Sequence, residues 1–316
     1  MPNPKTGRVC PLRALTSVRR SLVLLLLTAI SLPAWNRDGH KIVAWIAYQH
    51  LSPEVKAQVD SILQNHPDYP TWTKDLPPTA DLGLEAFLHS SYWPDQIKSD
   101  PRLWDDLVRN GHATPLLPGF PDMKTHKNWH YTDVPYLASG QTGIVPDPIN
   151  IVGRLAALRT EPLSAYNLAW LVHLVGDVHQ PLHCVSRFTG HHRNEPAGID
   201  RGDLGGNLFQ IDDPAKNLHS LWDGALGTTE SRTEFVATAA SLSATADSVV
   251  LLDTNSWVEE SVGLAKNLVY KIGDDTENSI RPKVTAEYRS ALQKASRERI
   301  ALAGYRLAAI LNARLQ

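Results

Sequence analysis

Apolar residues recur at the three-to-four spacing of a buried helix face in seven stretches: Lys41 to Leu51, Glu54 to Leu63, Ile149 to Leu158, Ala165 to Val178, Glu230 to Leu251, Trp257 to Ile272 and Val284 to Leu315. Strand-like alternation is sparse, and Asn207 to Ile211 (NLFQI) is the best short candidate. The pattern predicts an all-α protein, a single compact helical domain with little or no β structure. Two stretches break the periodicity, Ser99 to Lys127 with four prolines and Ser186 to Gly206 with several glycines and charges. They read as long loops, of the kind that are either functional or loosely ordered in a compact domain. With 42% hydrophobic residues in 316, the chain can bury a large core.

The first 34 residues follow a different pattern. Lys5, Arg8, Arg13, Arg19 and Arg20 form a basic lead, Ser21 to Leu32 is apolar, and Ala34 offers a small residue for cleavage. This is the layout of an export signal, and the apolar run is short for a bilayer span. The expectation is a signal peptide over 1–34 and a mature domain over 35–316, periplasmic or extracellular, monomeric and without a stable membrane anchor. Removing five basic and no acidic residues leaves 26 Lys and Arg against 33 Asp and Glu, a formal charge of −7. Side chains alone would then disfavour a polyanionic partner, an objection that bound metal ions would reverse locally. Cys184 would be the only cysteine left, so the mature domain needs no internal disulfide.

The chemistry concentrates in Leu171 to His183, LVHLVGDVHQPLH, where three histidines and an aspartate sit in an apolar run. In a helix His173 and Asp177 share a face, Pro181 ends the helix, and His183 follows on the turn. A second pair at the same spacing, His219 and Asp223, lies in NLHSLWD. A lone pair of this kind is more often a surface hydrogen bond than a ligand pair. Here Leu171, Val172, Leu174, Val175 and Val178 imply burial, and no Lys or Arg in the run supplies the counter-charge that a buried carboxylate needs. Imidazole and carboxylate are ligands that zinc prefers, which makes a metal the natural partner. His179 falls off the His173/Asp177 face and reads as a supporting or structural residue.

HLVGDVHQPLH, GGN at Gly205 to Asn207 and NLHSLWD resemble the zinc-dependent S-one/P-one (S1/P1) nuclease family, whose helical fold is shared with bacterial zinc phospholipase C. The resemblance extends to WNRDGH at Trp35 to His40, SYWPDQIK at Ser91 to Lys98, WHYTD at Trp129 to Asp133, SWVEESVGLA at Ser256 to Ala265 and AGYRLAAILN at Ala303 to Asn312. It implies three zinc ions in one cleft. Asp95, His130, His173 and Asp177 would hold one, with Asp177 bridging to a second held by His40 and by the amino group and carbonyl of Trp35. His183, His219 and Asp223 would take the third. Only cleavage before Trp35 creates an amine there, so maturation would complete the site.

The same resemblance assigns Asp133 to orienting or deprotonating the attacking water and Lys98 to the phosphate. Tyr131 would stack a nucleobase, and Gly205 and Asn207 would contact a base edge. The implied activity is an endonuclease on single-stranded DNA and RNA with 3′-nucleotidase activity, leaving 5′-phosphate ends. A phospholipid headgroup is the rival substrate, alone or beside nucleic acid, because a metal core does not select the leaving group. The phospholipase ends its last ligand pair in glutamate, however, whereas this chain has Asp223. A non-catalytic zinc-binding protein is a third reading, disfavoured by Asp133 because structural zinc sites are usually closed. Both loop intervals look longer than in such nucleases, which leaves the preference among DNA, RNA, nucleotides and other phosphodiesters open.

Overall fold

Each main helix begins where a short polar side chain can satisfy a free backbone N–H. A computed structural model describes Met1 and residues 35–104, 115–138, 140–190, 202–229, 231–242, 253–273 and 281–316. Residues 2–34 of the expected signal segment, 105–114 and 191–201 of the two loops, and 230 and 243–251 of the fifth periodic stretch lie outside the described residues. Asn36 caps α1 (Arg37–Gln49), Ser52 caps α2 (Pro53–Leu63), and α3 (Tyr69–Thr73) follows. Asp81 caps α4 (Leu82–Ser90), with the single turn α5 (Trp93–Gln96) after it. Asn150, Ser164 and Asn217 cap α6 (Ile151–Leu158), α7 (Ala165–Val178) and α8 (Leu218–Asp223). Ser231, Asp253 and Thr285 cap α9 (Arg232–Ala240), α10 (Thr254–Asn267) and α11 (Ala286–Leu315).

The centre of the fold is α7, buried at every position except Asn167. A helix that is apolar all round has to sit inside others. It packs against α1, α2, α4, α5, α6, α10 and α11, and the described residues from Trp35 onward form one compact unit. The approach of α1 depends on Gly176, because a Cβ there would stand 2.9 Å from His40 Nδ1. Truncating a core ring such as Trp170, fully buried in α7, would cost about 3–5 kcal/mol.

The sequence reading of a mostly helical protein holds, with local corrections. Two four-residue strands, β1 (Val134–Leu137) and β2 (Val185–Phe188), pair in parallel with Val134 opposite Val185. Neither is long enough to show alternation, and Pro135 breaks the pattern of the first. The expected strand Asn207 to Ile211 is not one. Ile211 N bonds Lys216 O and Leu218 N bonds Phe209 O, so the segment folds back on the start of α8 and has no partner strand to extend along. Helices α3, at five residues, and α5, at four, are too short to establish a period, and α4 is a nine-residue helix that the periodicity does not predict. No helix among the described residues is long and apolar enough to cross a membrane.

Candidate metal centre

Eight of the nine expected metal ligands converge in three groups, His40/His173/Asp177, Asp95/His130/His173 and His183/His219/Asp223, with the donor atoms of each within 4.8 Å of one another. Helix spacing explains part of this. His173 and Asp177 stand one turn apart on α7, as do His219 and Asp223 on α8. Helices α1 and α5 bring His40 and Asp95, the turn before β1 brings His130, and the turn after α7 brings His183.

Asp177 is the junction. Its Oδ1 lies 3.3 Å from His40 Nε2, while its Oδ2 lies 3.0 Å from His130 Nδ1 and 3.1 Å from His173 Nε2. Asp95 Oδ1 stands 3.7 Å from the same nitrogens of His130 and His173. One carboxylate thus faces two separate sets of imidazoles. In the third group His219 Nε2 is 3.4 Å from Asp223 Oδ2.

The rings are aimed from behind. His173 Nδ1 donates to Ser91 O, His183 Nδ1 to His130 O and His219 Nδ1 to Gly205 O, each at 2.7 Å. A carbonyl can only accept, so each bond places the proton on Nδ1 and leaves Nε2 as a lone-pair donor toward the group. Gln180 Nε2 donates to Asp223 Oδ1 at 2.6 Å, which orients that carboxylate in the same way. These supporting roles were not visible in the sequence, even at His130 and Gly205, because three of them belong to backbone carbonyls and Gln180 sits among louder neighbours.

Electrostatics separates the carboxylates. Burial would raise Asp177, but His173, His130 and His40 outweigh it and hold the group well below its ordinary value. Burial pushes Asp223 well above the ordinary range, against the bond from Gln180. Burial also drives His130 to about 3, helped by Lys98, and His219 to about 3, helped by His183. His40 Nε2, Asp177 Oδ1, His183 Nε2 and Asp223 Oδ2 are buried and find no hydrogen-bond partner among the described residues. Neutral His130 and His219 and an ionised Asp177 fit a divalent ion, whose ligands must be deprotonated, and a cation there would offset the burial that disfavours the Asp223 carboxylate.

The remaining expected residues lie around the groups. Trp35 is buried, donates from Nε1 to Gly176 O at 3.1 Å, and precedes Asn36, whose N–H bonds Asp223 O at 2.9 Å. It therefore sits where the first and third groups meet. Lys98 Nζ is 2.7 Å from Asp95 Oδ1 and is largely buried. The backbone on either side of Asp133 is tied to His183 and Cys184, through Thr132 N to His183 O and Val134 N to Cys184 O. Tyr131 is half-buried at the start of α6, with its carbonyl bonded by Ile151 N. Gly205 stands at φ +63°, and a Cβ there would meet Leu182 O at 2.3 Å, so its first task is to carry the carbonyl that holds His219. Asn207 is half-buried and donates to Leu204 O at 2.8 Å. His179 joins none of the three groups.

Endonuclease 5 of Arabidopsis thaliana is 26% identical to this chain over 205 residues, 61% of the chain and 56% of that protein. The match therefore spans little more than half of that relative's length. The S1/P1 nuclease family matches residues 35–316, a stretch that begins at Trp35 and takes in every residue of the three groups. On that match the chain belongs to the S1/P1 nuclease family.

Proposed function

We propose that this protein is an exported, zinc-dependent phosphodiesterase that cuts single-stranded DNA and RNA, leaves 5′-phosphate ends and removes the phosphate of 3′-nucleotides. The observation that carries the reading is Asp177, fully buried with its two oxygens facing different imidazoles, since a shared carboxylate is how two close ions are held. Asp95, His130, His173 and Asp177 would hold one zinc, Asp177, His40 and the amino-terminal Trp35 a second, and His183, His219 and Asp223 a third. Bound zinc supplies Lewis-acid charge, which makes a nucleophile available near neutral pH and stabilises a departing oxygen.

The other residues serve substrate and water. Asp133, held between His130 and the His183 turn, orients the attacking water and takes up its proton as the bond from phosphorus to the 3′-oxygen breaks. Lys98, fixed by Asp95, adds positive charge for the phosphate. The half-buried Tyr131 ring offers a face for base stacking, which tolerates any sequence, and Asn207 beside Gly205 offers an amide for a base edge. Removal of residues 1–34 would free the Trp35 amine.

The test is a side-by-side assay of the mature protein on single-stranded DNA, RNA, a 3′-nucleotide and phosphatidylcholine, with metal analysis of the same sample. The expected result is cleavage of the first three substrates and close to three zinc per chain. Hydrolysis of phosphatidylcholine alone would transfer the site to lipid chemistry, and zinc content without any hydrolysis would leave a binding protein.

A further inference from the structure

His179 resembles three of the expected ligand histidines, His173, His183 and His219, in every respect but one. Its Nδ1 donates to Val175 O at 2.7 Å, the same backing that His173, His183 and His219 receive. Its Nε2 faces Arg306 Nη1 at 2.8 Å. A guanidinium only donates, so Nε2 accepts and the ring is locked as the neutral Nδ1–H tautomer. Arg306 thus stands, for this histidine, where the other rings face carboxylates.

Arg306 is fully buried, an expensive place for a charge. Its Nη2 and Nη1 donate to Glu260 Oε1 and Oε2 at 2.7 and 2.8 Å, while Arg299 Nη1 donates to the same Oε2 at 2.5 Å. One carboxylate therefore meets two guanidiniums, although Arg299 alone would balance it. The surplus cation, Arg306, reaches the end of α7 through His179 Nε2, and Arg299 holds the backbone beside it. Arg299 Nε donates to His179 O at 3.1 Å and Nη2 to Ser261 Oγ at 2.9 Å, and Ser261 Oγ donates to Val178 O at 2.7 Å. Helices α10 and α11 thereby grip Val178 and His179, the two residues between Asp177 and Gln180. Beyond them Gln180 holds Asp223, and His183 enters the third group.

We propose that Arg306, acting through His179 together with Arg299 and Glu260, is a positioning residue of the metal centre: it fixes the end of α7 and so sets the His183/His219/Asp223 group against Asp177. The proposal rests on the metal-dependent reading above. It separates three histidines that present Nε2 to an ion from one whose Nε2 fixes the segment joining them.

The experiment compares wild type with Arg306→Met and Arg306→Lys in the mature zinc-loaded protein, by chelator competition and by kcat and KM on single-stranded DNA. Arg306→Met leaves the Arg299–Glu260 pair in balance, so the fold is expected to survive, which circular dichroism checks. The expected result is one ion held about 10–100-fold more weakly, the usual cost of losing an outer support, with kcat lowered similarly, KM little changed and partial recovery in Arg306→Lys. A folded Arg306→Met with wild-type zinc affinity and kcat overturns the proposal. Should Arg306→Met fail to fold, His179→Phe removes the same acceptor while keeping both arginines on Glu260, and wild-type behaviour there overturns it equally. If wild type holds zinc but cleaves nothing, the nuclease reading fails while the affinity comparison still decides the positioning role.

Discussion

Two kinds of histidine share the end of α7, and the difference between them lies outside the helix. His173 and His183 point Nε2 into groups that hold Asp177, Asp95 and Asp223, and His179 points the same atom at Arg306. All three take a backbone carbonyl at Nδ1, so the local backbone prepares each ring in the same tautomer. What decides whether such a ring can hold a metal is the charge that tertiary structure places opposite it. Carboxylates invite a cation, and a guanidinium fills the place of one.

The largest way to break this comparison is at Asp177. Asp177→Asn should reduce hydrolysis to background and weaken the ions on both sides of it, measured by single-stranded DNA turnover and metal content. Turnover near wild type would remove the bridging role. A smaller loss is expected from Gln180→Met, which takes the hydrogen bond from Asp223 Oδ1 and should weaken the third group by about 10–100-fold in chelator titration, sparing the Asp177 groups. Equal weakening of all groups would show that Gln180 acts on the whole segment instead. Gly205→Ala strains a positive-φ position and drives a methyl into Leu182 O, so thermal unfolding should show a loss of about 1–3 kcal/mol.

Acid gives a further contrast. Burial drops His66 and His89 to about 4 and His130 and His219 to about 3, from an ordinary 6.5. For these groups the unfolded chain binds more protons than the folded one below pH 6.5. The stability they contribute is therefore present above 6.5 and lost as pH falls toward 3. Chelated protein should show that loss in melts taken across pH 7 to 3, and a flat profile would contradict the buried neutral rings. The finest test is nitrogen NMR of histidine in the presence of a chelator. Nε2 of His173, His183 and His219 should shift when metal leaves, and Nε2 of His179 should stay unmoved.

Much of the site was legible because its signals are local. An i, i+4 spacing puts His173 over Asp177 and His219 over Asp223 whatever surrounds them, and the apolar run of α7 announces that they are buried. The helical class followed from the same periodicity. The parallel pairing of Val134 with Val185 and the return of Phe209 and Ile211 onto the start of α8 were not legible, since each depends on a partner distant in sequence or on where a helix begins.

By itself the sequence determined which residues could be ligands, which faces they share and that their helix lies in the core. Only the tertiary structure decided which imidazoles meet which carboxylates, that Gly205 serves His219 through its carbonyl, and that His179 answers to Arg306 from a helix more than a hundred residues away. The reason is physical. Periodicity records the direction a side chain takes from its own backbone, but the charge it meets is set by other elements, and that charge selects between binding an ion and holding a segment in place.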